Sequence, residues 1–263
     1  MFEQIIENNK AYNQQGFSIS SFTTKAFNLS NGHNTILKSI DYLNTHYPQL
    51  LIGRNELLAI WSNASIPVYT KILITFWWGN LSHKDQAPIF YKKQNLDKLQ
   101  LISEELNLDL IEINNDNNNF ISNLENIYNS LKFNNGKYKL SGINTAFFTK
   151  ILQFGIFNPI QPIIADKWSI RAILADMIDQ NYDYQSVFRI NHPPEGNLKV
   201  SFKGSTQNEF EKYFKMLEYF NLRCIQLQIT PLQLEEIMFG FGDAMHIPTN
   251  PRVIAQNIII QRP

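Results

Sequence analysis

The stretch whose residue types come nearest to chemistry is Leu140-Ser-Gly-Ile-Asn-Thr-Ala-Phe-Phe-Thr-Lys-Ile-Leu-Gln-Phe154, with Pro162-Ile-Ile-Ala-Asp166 after it. Gly142 can take positive φ, and Asn144 is one of the few other residue types that tolerates the left-handed region. A turn with those two positions between helices can present consecutive backbone N–H groups, and with the helix N-terminus that follows it makes an anion site. A DNA phosphate is one occupant of such a site. An ordinary αα-corner uses the same residues and holds no ligand. Asp166 is a lone carboxylate at the head of the next periodic segment, where Asp is also a favoured N-cap.

The elements that must position these residues read as mostly helical. Apolar residues recur at helical spacing over 36–47, 54–61 (with Asn55 as N-cap), 95–107, 120–131, 145–154, 168–178 and 209–222. Residues 68–77 form a nearly all-apolar helix entered through Pro67. Thr230 and Gln233 spell a capping-box variant that opens a helix over 232–239. Residues 1–35 read as an irregular arm, partly helical near 2–12, and 80–90 as a polar loop. The Asn-rich run 113–119 reads as a surface loop. Residues 182–190 and 198–202 read as short strands or irregular chain, and 253–260 as strand or helix. No βαβ alternation and no internal repeat is present, so the fold class is mainly α with minor β.

The totals narrow the function classes. Hydrophobic residues make up 44% and charged ones 17%, which allows a substantial core. A net charge of zero argues against a strongly basic nucleic-acid binder but leaves room for a local basic face. Cys224 is the sole cysteine, so a disulfide framework or a four-Cys cluster cannot be built within the chain, and a reducing compartment is expected. His83, His192 and His246 show no metal spacing, and neither a metal nor a cofactor is expected. The N-terminus lacks the charged and apolar regions of a signal peptide, and no apolar run approaches the ~18 residues of a bilayer span. These features imply a soluble, cytoplasmic protein without a membrane partner.

Order and spacing together add a resemblance. The stretch Leu140 to Phe154 resembles the helix-hairpin-helix of the 8-oxoguanine DNA glycosylase-like superfamily, and most of all its small bacterial branch. There a hairpin of Leu-x-Gly-Ile-Gly type leads into a Phe-(Phe/Ala)-Thr-Lys-x-Leu-x-Phe helix, and an Ile/Val-x-Asp segment follows at about the distance between Gly142 and Asp166. Phe76-Trp-Trp-Gly79 resembles the branch's Ala-Trp-Gly-x-Gly segment, and the region from Tyr213 to Phe239 its final helix pair. The resemblance covers roughly residues 50–240. It implies a two-lobed helical glycosylase-like fold and DNA N-glycosylase chemistry, in which a base is flipped out of the duplex and excised.

On that resemblance Asp166 matches the acid that stabilises the oxocarbenium-like sugar and helps position the nucleophile. The hairpin 140–146, through Gly142, Ile143, Asn144 and Thr145, would hold the DNA backbone. Lys137 and Lys139 would neutralise phosphates or form a solvated face, with Lys84, Lys92, Lys93 and Lys98 as a further basic patch. Trp77, Trp78, Phe239 and Phe241 are candidate walls of a base pocket, with core packing as the competing role. Asp243 is a further candidate pocket acid.

The chain departs from the branch at two places. Asn144 replaces the second hairpin glycine, and the position of the lyase lysine holds Ala146. Lys150, four residues on and on the same helical face, is either a nucleophile or a phosphate or carboxylate partner. The expected activity is therefore monofunctional base excision that leaves an abasic site, with lyase activity only through Lys150. Proteins resembling this branch often occur in anti-phage systems, which points to phage DNA with modified bases and to partners from a defence operon. The competing expectation is a binding module that keeps the fold without catalysis. The organisation expected is an arm and first helix over 1–50, the glycosylase-like domain over 51–240, and a C-terminal extension over 241–263.

Overall fold

The computed structural model describes residues 1–8, 16–81, 86–191, 198–239 and 247–261. The described residues are mainly helical, with two small antiparallel sheets. They divide into two compact units: residues 14–159, and residues 160–263 joined by 1–13.

The unit 14–159 is built on helices. After α1 (Phe2–Asn8), which belongs to the other unit, come β1 (Phe17–Ser18), α2 (Ser20–Leu29), α3 (Asn34–His46) and β2 (Leu51–Ile52). Strand β1 pairs antiparallel with β2, Phe17 opposite Ile52. Next come α4 (Arg54–Ser62), α5 (Val68–Trp78), the single turn α6 (Ala87–Phe90), α7 (Lys93–Asn115), α8 (Phe120–Lys132) and α9 (Thr145–Gly155). Helix α5 is central. It is buried on every side, as a helix that is apolar all round must be, and packs against α3, α4, α7 and α9. Gly155 lets α9 approach α4 and α7 closely: a β-carbon there would lie 3.0 Å from Trp61 and 3.1 Å from Leu110.

The other unit contains α1, α10 (Lys167–Asp179), the hairpin of β3 (Phe188–Asn191) and β4 (Lys199–Phe202), α11 (Glu209–Leu227), α12 (Pro231–Phe239) and α13 (Pro251–Gln261). Helix α10 packs against α13, α12 and β4. Its core holds a buried ionic cluster. The Asp176 carboxylate accepts hydrogen bonds from the Phe2 amide, the Tyr219 hydroxyl and Arg223 Nε, each at 2.8 Å, and the Met1 ammonium lies 3.1 Å away. Arg223 also donates to Glu3 at 2.5 Å. Burial works against the charge on Arg223, but the Asp176 and Glu3 carboxylates prevail and hold its pKa above the ordinary value.

Several sequence expectations need correction. Residues 20–29 are a helix, not irregular chain: Thr23 and Thr24 hydroxyls bond back to the Ser20 carbonyl, so the polar side chains are satisfied within it. Helix α7 runs through Asn115, into the run expected as a loop, because Leu110 and Ile113 continue its buried face. Gly53, not Asn55, is the N-cap of α4, with the Glu56 carboxylate accepting from the Gly53 amide at 2.7 Å. Part of the loop expected over 80–90 is the turn α6. The capping box forms at α12 as read: Thr230 and Gln233 exchange bonds of 3.2 and 3.3 Å. The C-terminal segment is helical. Among the described residues no helix is long and apolar enough to cross a membrane.

Candidate functional site

The hairpin between α8 and α9 is pinned from below by two side chains of α7. Asn95, buried, donates to the carbonyls of Ile89 at 2.8 Å and Ser141 at 3.3 Å, and accepts from the Ser141 amide. Lys98 donates to the Lys139 carbonyl at 2.7 Å, and Lys139 to the Ile143 carbonyl at 3.0 Å. Ile143 is buried and anchors the turn, while Ser141 and Asn144 are exposed.

Gly142 takes φ of 81°, as its residue type allows. A side chain is excluded there for a second reason: a β-carbon would lie 2.8 Å from the Gln86 carbonyl oxygen and 3.0 Å from the Phe90 amide, both backbone atoms that cannot yield. Asn144 does not use the left-handed region. Its backbone is extended, as an N-cap residue requires, and its side chain makes no capping hydrogen bond to α9. The first turn of α9 is thus not covered by its own N-cap side chain, and the helix dipole adds partial positive charge there.

The lysines around the hairpin have local partners. Lys137 is exposed, pairs with Glu105 at 3.0 Å and lies 4.9 Å over the Tyr138 ring. The Tyr138 hydroxyl and Glu105 hold its pKa above the ordinary value. Tyr138 donates to Asp109 at 2.5 Å, and burial followed by that bond pushes its own pKa up to about 12. Burial lowers the pKa of Lys139, with Lys132 adding to the effect. Lys93 pairs with Asp97 at 2.5 Å. Lys84, like His83, His192, Phe241, Asp243 and His246, lies outside the described residues.

Lys150 is 6% exposed. Its ammonium donates to the Ala146 carbonyl at 3.1 Å, one turn back on α9, and lies 5.5 Å over the Phe147 ring. Gly79 closes α5 against its stem, with room for no β-carbon. The Phe76–Gly79 segment and the α9 lysine are therefore in contact, a link invisible in their separation along the chain. Trp77 and Trp78 are buried core side chains. Trp77 is fully enclosed and donates to the Tyr91 hydroxyl at 3.0 Å, while Trp78 packs edge-on against Phe154 with the Arg54 guanidinium 5.2 Å from its ring.

Asp166 belongs to the other unit, and its position is set by the extended chain before it. Asn221 brackets Gln161 with two bonds of 3.2 Å, Tyr213 donates to the Ile163 carbonyl at 2.9 Å, and buried Glu235 accepts from the Ile164 amide at 2.9 Å. Asp166 then caps α10: its Oδ1 accepts from the amides of Trp168 at 2.8 Å and Ser169 at 2.9 Å. Among the described residues its Oδ2 has no hydrogen-bond donor. Phe239, half-buried, ends α12 in the same unit.

One residue escaped the sequence reading. Lys71 sits in the first turns of α5, a helix otherwise without charge, and is 5% exposed. A lone lysine in so apolar a run was the available signal. It lines a cavity of 340 Å³ in the unit 14–159. No group of three or more His, Cys, Asp or Glu suited to a metal occurs among the described residues. Comparisons of the chain with protein-family models, with curated proteins and with solved structures find no match.

Proposed function

We propose that the chain is a DNA N-glycosylase that flips out and excises a damaged or modified base. The observation that carries this reading is the hairpin. A positive-φ glycine packed backbone to backbone, held by Asn95 and Lys98, leads into a helix whose first turn lacks a side-chain cap. Backbone amides at such a helix start can donate to a phosphate, and the turn falls in the stretch that resembles the glycosylase superfamily. In this reading Asp166, tethered through Oδ1, offers Oδ2 to the sugar cation or to the attacking water. Water is the nucleophile, and the product is an abasic site and a free base. The setting is the bacterial cytoplasm, with phage DNA as the substrate.

The second reading is a nucleic-acid, nucleotide or protein binding module without catalysis. It is favoured by the local commitments of both candidate catalytic groups, Lys150 to the Ala146 carbonyl and Asp166 to its own helix, and by the zero net charge.

The test is base release from duplexes carrying 8-oxoguanine and from phage DNA with modified cytosines, comparing the wild type with Asp166→Asn. Glycosylase activity requires abasic sites with wild type and a loss of about 10²-fold or more with the variant. DNA binding without base release on any of these substrates supports the binding module. Borohydride trapping lost in Lys150→Ala identifies a lyase, and absence of trapping beside base release identifies a monofunctional enzyme.

A further inference from the structure

The cavity beside Lys71 lies at the C-terminal ends of α4 and α9, against the second half of α7. Trp61, Leu110 and Phe157 form its apolar lining, and Asn107, Asn114 and Lys71 its polar one. Lys71 donates to the Trp61 carbonyl at 2.9 Å, in the last turn of α4, where a cation is favoured by the helix dipole. Its ammonium lies 5.9 Å from the Trp61 ring centre. Among the described residues no carboxylate pairs with it, and none lines the cavity. An ammonium has three donors, and a charge buried to this degree ordinarily has a charged partner. Burial alone lowers the Lys71 pKa, with no carboxylate opposing it.

Hydrogen bonds from side chains of the unit fix the walls. Asn114 accepts from the Phe157 amide at 2.6 Å and donates to the Gly155 carbonyl at 3.0 Å, fixing the chain that leaves α9. Trp61 is fixed by its Nε1 donating to Thr75 at 2.8 Å. Phe157, in the lining, is 47% exposed. The site thus combines a preformed apolar volume, a single buried cation short of an anionic partner, and amide groups at the polar side, which is the usual composition of a small-molecule site.

The geometry points to this cavity as a binding site for a small aromatic carboxylate, whose carboxylate pairs with the Lys71 ammonium and whose ring lies among Trp61, Leu110 and Phe157. The volume is sufficient for a one- or two-ring acid, and the apolar lining disfavours a bare inorganic anion. This site stands apart from the hairpin and does not depend on the DNA reading.

The experiment is calorimetric titration of the full chain with 1-naphthoate, 1-naphthamide and inorganic phosphate. Wild type is expected to bind naphthoate about tenfold or more tightly than naphthamide, the usual difference for a charge-assisted hydrogen bond, and to bind phosphate weakly or not at all. Lys71→Met, nearly isosteric, is expected to remove that preference. Asn107→Asp, which places a carboxylate in the lining, is expected to weaken naphthoate by about tenfold and spare naphthamide. Circular dichroism checks that each variant is folded; if Lys71→Met is not, Asn107→Asp decides. Equal binding of acid and amide by wild type, an unchanged preference in the folded variants, or no binding of naphthoate overturns the assignment.

Discussion

A β-carbon on Gly79 would lie 2.7 Å from Cε of Lys150, so the glycine that ends α5 and the lysine in the middle of α9 occupy mutually exclusive space. Gly79 has φ of −73°, a conformation open to any residue, so the glycine is required by this contact and not by backbone strain. The two nearest atoms in the way, Cε and Cδ of Lys150, belong to a flexible side chain, and the Thr75 carbonyl oxygen follows at 3.2 Å. Gly79→Ala is therefore expected to displace the Lys150 ammonium from the Ala146 carbonyl while leaving the fold within about 1 kcal/mol of wild type. Urea denaturation checks the stability, and reductive methylation read out by NMR checks the lysine, which becomes more reactive in the variant. If Lys150 acts on DNA, this substitution also lowers activity without removing the amine.

Asp166 carries a structural duty that must be separated from chemistry. Its carboxylate caps α10 through two amide bonds, so Asp166→Ala is expected to cost about 1 kcal/mol from loss of the cap. Asn caps as well as Asp, so Asp166→Asn should fall within a few tenths of a kcal/mol of wild type in thermal unfolding. A base-excision defect shared by both variants, with normal stability in the second, assigns the loss to the carboxylate. A defect confined to Asp166→Ala assigns it to the helix.

The Asp176 carboxylate is buried and holds several charged and polar groups of its unit together. Removing the carboxylate leaves Arg223 and the Met1 ammonium without their buried partner and the Tyr219 hydroxyl without its acceptor. Asp176→Ala is expected to destabilise by about 3–5 kcal/mol, against under about 1 kcal/mol for Glu3→Gln at the half-exposed end of the same cluster. Urea unfolding of the two variants side by side checks the ratio.

Lys71 gives a dependence on pH. Burial depresses its pKa below the ordinary value of 10.5, so between the two values the unfolded chain binds more protons than the folded one. Stability then rises with pH across that window, and the full penalty applies below it. Lys71→Met removes this component. The difference in unfolding free energy, variant minus wild type, is expected to shrink as pH rises from neutrality toward the ordinary lysine value, and a difference flat with pH contradicts a depressed pKa.

Much of the helical scaffold was legible because its signals are local. The apolar spacing of 36–47, 120–131 and 145–154 marks helices that form at α3, α8 and α9, and the Thr230–Gln233 pair marks the start of α12. Local signals also misled. The hydroxyl-rich 20–29 segment looked irregular because its side chains are polar, yet they are satisfied by the helix itself, and the end of α7 looked like a loop because Asn dominates its composition, yet Leu110 and Ile113 keep it on the buried face.

Sequence by itself determined the mainly helical class, the turn at Gly142, and Asp166 at the head of α10, since period, positive φ and capping depend on neighbours a few residues away. Tertiary structure alone decided which polar groups are buried and with what. It joins Arg223 to Glu3 across 220 positions, closes Gly79 on Lys150, and places Lys71 at a cavity that no carboxylate among the described residues lines. The reason is physical: desolvation and charge pairing are set by distance in space, and residues far apart in the chain become neighbours only once the helices pack.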